Sequence, residues 1–193
     1  MVRYAKSRIG SKDARRTRFF EARMEDFDRV LPRRGAWAKY ALAFNLINTI
    51  RHLSSDRAML DHFAAIARVL KPGGIYVVGI SLSLYGVEQE TEDLWEGTRG
   101  RCKVSQVVQY IPPEDVGGHG GTREERVISH LTVTRPRGEE HLDSSYVLRT
   151  YNLAQWTRLI EKSALRTIMV VGDDGVEIKP PRIGYAVWIL MAR

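Results

Sequence analysis

The run from Arg68 to Ser81, Arg-Val-Leu-Lys-Pro-Gly-Gly-Ile-Tyr-Val-Val-Gly-Ile-Ser, constrains this chain more than any other stretch. A helix has to end near Leu70, because Pro72 lacks the N–H and its ring clashes with the preceding turn. Gly73 and Gly74 permit a reversal that a Cβ would resist. The residues that follow are apolar at nearly every position, the pattern of a strand buried on both faces in a parallel sheet covered by helices. A helix, a tight Pro-Gly-Gly turn and a buried strand make half of a doubly wound α/β unit.

The flanking sequence extends that reading. Ser55 is placed to cap the incoming helix, with Asp56 at its positive end. Met59, Phe63, Ile66 and Leu70 recur at spacings of 4, 3 and 4 along one face. His62 lies off that stripe and is expected in solvent. Tyr40–Ile47 reads as a second buried strand, and Thr17–Ala22 as a short one around Phe19 and Phe20. Residues 28–39, with Pro32 and Gly35, read as a loop, and residues 1–8 as a helix.

After Ser83 the pattern changes. Residues 102–111, 124–134 and 145–151 read as three amphipathic strands. In the middle one Val127, Leu131 and Val133 alternate with Ile128, His130 and Thr132, as suits antiparallel strands with one wetter face. The glycine-rich run 117–121 follows no buried strand and opens no helix, so it reads as a loop rather than a nucleotide-binding turn. Asn152 and Gln155 form a capping box for a last helix with Leu153, Trp156, Leu159 and Ile160 on its apolar face. Residues 165–171 and 183–191 close the chain as strands, separated by the polar loop 172–182.

Composition narrows the function. A chain of 193 residues suits one domain. The single cysteine, Cys102, excludes an internal disulfide framework and a cysteine-based zinc site and suits a cytoplasmic protein. No apolar run approaches the ~20 residues that span a bilayer, so no membrane partner is expected. Net charge is +7, and residues 1–39 carry all of the excess, with 12 Lys/Arg against 5 Asp/Glu. A basic patch can attract nucleic acid, but no aromatic-rich or recognition-helix signature accompanies it, so it reads as a solvated face.

Leu-Lys-Pro-Gly-Gly before a hydrophobic strand resembles the turn before the fifth strand of class I S-adenosylmethionine-dependent methyltransferases. Asn48-Thr49-Ile50-Arg51-His52-Leu53 is similar to the loop after their fourth strand. Arg23-Met24-Glu25-Asp26-Phe27 resembles the segment after the third, with Arg23 where an acid is common, and residues 1–6 resemble the helix after the second. The resemblance implies a single methyltransferase-like domain over 1–193: a doubly wound, mostly parallel sheet with an antiparallel ending, plus an inserted antiparallel lid within 84–151 on the substrate side. It also implies S-adenosylmethionine as cofactor and a small-molecule substrate. By the resemblance Arg23, Met24 and Glu25 are cofactor-binding candidates at the adenine pocket; Asn45, Leu46 and Asn48 join them, since ligands of open α/β sheets sit at the carboxyl ends of strands. Tyr85, Tyr110, His130 and Arg149 are assigned to the substrate side. His52 and His130 are the candidate general bases.

The family's glycine-rich turn after the first strand and its ribose-binding acid have no counterpart in these 193 residues. The expectation is therefore an N-terminally truncated domain, impaired in cofactor binding, whose strand 40–47 has a free apolar edge through which it self-associates. The alternatives are a non-catalytic methyltransferase-like interaction module and a basic nucleic-acid-binding module.

Overall fold

A computed structural model describes residues 2–10, 13, 16–32, 39–115, 117 and 121–193 of the chain. The glycine-rich run 117–121 and the loop 28–39 therefore lie partly outside the described residues, as does Met1 of the expected first helix. The elements in chain order are α1 (Val2–Arg8), β1 (Tyr40–Asn45), α2 (Asp56–Val69), β2 (Leu70–Leu82), β3 (Thr91–Arg99), β4 (Cys102–Ile111), β5 (Glu124–Arg135), β6 (Gly138–Arg149), α3 (Leu153–Glu161), β7 (Leu165–Val171) and β8 (Gly184–Ala192). Short 3-10 turns occupy Phe27–Arg29 and Thr49–His52.

The first sheet has the order β1-β2-β8-β7. β1 and β2 pair in parallel through the α2 crossover, while β8 runs antiparallel to both β2 and β7. The sheet is mixed: β1, β2 and β7 run the same way and β8 runs against them, and α2 supplies the crossover that the parallel β1–β2 pair needs. Two observations correct the sequence reading. Residues 17–22 are not a strand, because they have no ladder partner among the described residues; Phe20 instead lines a cavity beside β1. His62 is buried, at 3 % exposure.

The Pro-Gly-Gly reversal takes the form of a bulge inside β2. Tyr40 pairs with Leu70, yet Leu42 pairs with Ile75, so Lys71–Gly74 loop out of register. A Cβ on Gly74 would lie 2.9 Å from the Lys71 carbonyl oxygen and 3.1 Å from that of Tyr40. Only glycine allows so close an approach of two backbones.

Helices α2 and α3 cover one face of this sheet. Trp156 of α3 is fully buried, with its ring edge-on to Phe63 of α2 at 5.7 Å and to Trp188 of β8 at 6.1 Å. Both helices start as the sequence indicates: the Ser55 side chain accepts from the Ala58 amide, and Asn152 and Gln155 close a reciprocal capping box. On the other face, Leu42, Phe44 and Ile168 remain 55 %, 72 % and 42 % exposed.

The second sheet, β3-β4-β5-β6, is an antiparallel meander lying between β2 and α3 in the chain. β4 and β5 match the sequence reading closely. β6 starts seven residues earlier, at Gly138 rather than Ser145, and β3 was not anticipated. All nine residues of β3 are exposed, so no hydrophobic alternation announces it.

Candidate active site

Residues after β1 turn sharply at its carboxyl end. Ile47 and Asn48 both have left-handed backbone, with φ of 55° and 59°. That conformation is costly for a β-branched residue, so the surroundings have to hold it. The Ile47 amide donates to the Tyr185 hydroxyl at 3.2 Å, and the Asn48 amide to the Gly79 carbonyl at 3.3 Å. Tyr185 reaches this position by crossing Gly79, where a Cβ would lie 1.9 Å from its hydroxyl oxygen. The Asn48 side chain clamps β2: its Nδ2 donates to Ser81 Oγ at 2.9 Å, and its Oδ1 accepts from the Ser81 amide at 2.6 Å. Leu46 is 37 % exposed beside this turn.

Asn45, the last residue of β1, donates from Nδ2 to the Met24 sulfur at 3.6 Å, which brings two of the cofactor candidates into contact. Its Oδ1 is buried without a hydrogen-bond partner among the described residues. Behind them runs a polar chain that periodicity alone did not reveal. His62 Nδ1 lies 2.8 Å from the Met24 carbonyl oxygen, and His62 Nε2 lies 2.8 Å from the Tyr76 hydroxyl. The carbonyl can only accept, so Nδ1 carries the proton and Tyr76 donates to Nε2. Burial pushes the Tyr76 phenol far above its ordinary value and holds His62 below its own, against the opposing pull of the Met24 carbonyl and the Glu25 charge. Arg23, largely exposed, pairs with Glu25 at 3.0 Å. That hydrogen bond is the main cause that lowers the Glu25 carboxyl. Beside this cluster an apolar cavity of about 410 Å³ is lined by Phe20, Phe27, Leu31, Leu42, Phe44, Asn45, His62 and Tyr76, among others.

The depressed His62 sets a pH dependence. The folded chain binds fewer protons at this ring than the unfolded chain, so the neutral ring's contribution is complete above the unfolded value of ~6.5 and is lost as pH falls below it. The urea midpoint is expected to drop between pH 7.5 and 5.5, and His62→Gln to flatten that slope. An unchanged slope in the variant would assign the effect elsewhere.

The 3-10 turn after β1 faces the second sheet. The His52 ring sits 5.5 Å from Tyr146 of β6. Tyr110 and Tyr146 both pair with Val127 and so share one sheet face. The Tyr110 phenol is raised chiefly by burial, then by the charge of Asp93 on the adjacent strand, to which it also hydrogen-bonds. Gln106 Nε2 donates to Ser129 Oγ at 2.8 Å on the same face. Beside His52, Arg51 is 4 % exposed; its Nη2 pairs with Glu125 at 2.9 Å and its Nε donates to the Arg149 carbonyl at 3.0 Å. Glu88, close to this pair, is pushed up mainly by burial and next by the Glu125 charge. Sequence reasoning missed Arg51 and Glu125, although Arg51 sits inside the quoted Asn-Thr-x-x-His-Leu loop.

The remaining substrate-side candidates are elsewhere or otherwise engaged. The Tyr85 hydroxyl is buried and donates to Gln155 of the capping box at 2.9 Å. Arg149 donates to the Thr122 carbonyl at 2.8 Å and lies 3.6 Å from Asp56. His130 pairs with Val107 and Asp143, which puts it on the opposite face of the sheet from Tyr110 and Tyr146. The structure thus joins His52 to Tyr146 and Met24 to Asn45, and separates His130 from both groups.

No protein-family model and no curated protein sequence matches the chain. Solved structures do. The chain superposes on the S-adenosylmethionine-bound amino pentose methyltransferase CalS10 of Micromonospora echinaspora with a TM-score of 0.61 at 14% identity, over 89% of this chain and 63% of that one. For the sugar N-methyltransferase KedS8 of Streptoalloteichus sp ATCC 53650 the TM-score is 0.65 at 17% identity, over 97% and 66%. A third match, to an S-adenosylmethionine-dependent methyltransferase of Clostridium acetobutylicum ATCC 824, has a TM-score of 0.62 at 12% identity, over 80% and 58%. The chain therefore spans less than two thirds of the length of these proteins. Its fold is that of S-adenosylmethionine-dependent methyltransferases.

Proposed function

We propose that this chain carries the acceptor half of an S-adenosylmethionine-dependent methyltransferase, and that the acceptor is an amine nitrogen on a small polar molecule of the amino-sugar kind. The observation that supports this best is that β1 and the turn after it carry two contacts between segments distant in the chain: Asn45 with Met24, and His52 with Tyr146. Solved structures with this fold include methyltransferases for an amino pentose and for a sugar nitrogen, which is in keeping with that acceptor class.

The residues present fit the nucleoside base of the cofactor. Asn45 offers a buried acceptor without a partner beside the Met24 sulfur, and Leu46 borders them. When bound, the group supplies an already activated methyl carbon, so the protein's task is positioning and proton handling. Tyr110, Tyr146 and Asp93 shape a polar-aromatic wall for the acceptor. His52 would be the group that takes the proton given up by the acceptor amine. No counterpart of the family's glycine turn or ribose acid occurs in these 193 residues, so the chain alone is expected to bind the cofactor weakly.

Methyl-labelled methionine spectra test the reading directly. On titration with S-adenosylhomocysteine, the Met24 methyl resonance is expected to shift while those of Met59, Met169 and Met191 stay in place. Met24→Asp should abolish saturable binding. Uniform shifts, or none at millimolar ligand, would reject the site. Where methyl transfer to an amino sugar is measurable, His52→Ala should lower turnover by about 10²–10⁴.

A further inference from the structure

On the outer face of the meander, opposite Tyr110 and Tyr146, β5 and β6 bring two histidines together across the strands. Thr132 pairs directly with His141, and His130 with Asp143. The two imidazoles stack with centroids 5.3 Å apart and planes 23° from parallel. A carboxylate engages one nitrogen of each ring: Asp143 Oδ1 lies 2.5 Å from His130 Nδ1, and Glu139 Oε1 lies 3.2 Å from His141 Nε2. A carboxylate accepts, so the proton sits on His130 Nδ1, and the Glu139 charge favours one on His141 Nε2. The other two nitrogens, His130 Nε2 and His141 Nδ1, are left to offer lone pairs, and both lie against one side chain. They lie 3.4 and 3.2 Å from the same Thr132 hydroxyl oxygen. A hydroxyl has one hydrogen; it serves one nitrogen and leaves the other facing oxygen lone pairs.

From this geometry we infer that His130 Nε2 and His141 Nδ1 form a two-imidazole site for a divalent transition metal of the copper, nickel or zinc type. Such ions favour neutral imidazole. A carboxylate on the far nitrogen fixes the tautomer and raises the basicity of a metal-bound histidine; Asp143 is that partner for His130, and Glu139 stands beside the far nitrogen of His141. Among the described residues no three His, Cys, Asp or Glu side chains gather as a metal site. The two nitrogens therefore leave the other coordination positions open to water or an outside ligand. The site is independent of the methyl-transfer reading, since it lies on the other face of the sheet.

Titration of the 193-residue chain with Cu²⁺, read by calorimetry and by electron paramagnetic resonance, tests the inference. The expected result is one equivalent with hyperfine coupling to two nitrogens, weaker binding of Zn²⁺, and none of Mg²⁺. His130→Ala and His141→Ala should each weaken Cu²⁺ at least tenfold, and Asp143→Asn by about 10-fold to 100-fold. All three side chains are exposed, so circular dichroism should show the variants folded. Undiminished binding in the His130→Ala/His141→Ala double variant, single-nitrogen coupling, or no binding at all would overturn the site.

Discussion

Arg51→Ala is expected to lower the stability of the chain by about 3–5 kcal/mol, the usual result of removing one partner from a buried ion pair. For a chain of this length that is roughly a ten-degree fall in Tm. Arg51 is 4 % exposed, and its loss strands Glu125, itself only 17 % exposed, next to Glu88. It also removes the donor to the Arg149 carbonyl, and with it the main polar tie between the β1 turn and the second sheet. Urea denaturation measures the cost. The double variant Arg51→Met/Glu125→Leu should recover most of it, because apolar replacements of a buried pair are often tolerated. A single-variant loss under 1 kcal/mol would mean that Arg51 and Glu125 are solvated in solution and that the sheets are held together otherwise.

The second large effect concerns β1. Among the described residues it is the outermost strand of its sheet, and Tyr-Ala-Leu-Ala-Phe-Asn carries no charge or proline to guard the edge. The opposite edge is blunted: β7 contains Arg166 and a bulge after Thr167, and the 176–178 segment folds back on it through a Val171–Glu177 bridge. Unguarded apolar edges recruit other strands. Light scattering is therefore expected to show self-association of the 193-residue chain at micromolar concentration, and Leu42→Lys with Phe44→Lys to abolish it. Both residues point to the face that the helices leave bare, so the lysines are not buried in the core. A monodisperse wild-type monomer would show that the edge is closed in solution.

Much of this architecture was legible in the sequence where the signal is local. The capping box at Asn152, the stripe from Met59 to Leu70, the alternation in β5 and the proline-glycine reversal before Ile75 each depend on neighbours a few residues away. What escaped depends on distant partners. His62 is off the apolar stripe by spacing, and only the Met24 carbonyl and the Tyr76 hydroxyl make its burial tolerable. Arg51 reads as a solvated cation until Glu125 arrives from the second sheet. Residues 17–22 have strand-like composition but no ladder to join among the described residues, and β3 has a ladder but no apolar face. Of the candidate site residues, Asn45 and Met24 touch at the end of β1. His130 was assigned by position in the chain, and a single strand register decides which face it takes.

The two sheets differ in how far apart their partners lie along the chain, which sets an order of events during folding. In the meander each strand joins the next through a short connection, so its pairings close small loops. In the other sheet Leu82 must find Gly184, a closure across about a hundred residues, and non-local pairings of that kind form slowly. The hairpins of the meander can be in place while β2 still waits for β8. During that interval β2 exposes Val77, Val78 and Ile80 along one whole edge, and the nascent chain is at its most vulnerable to capture by another.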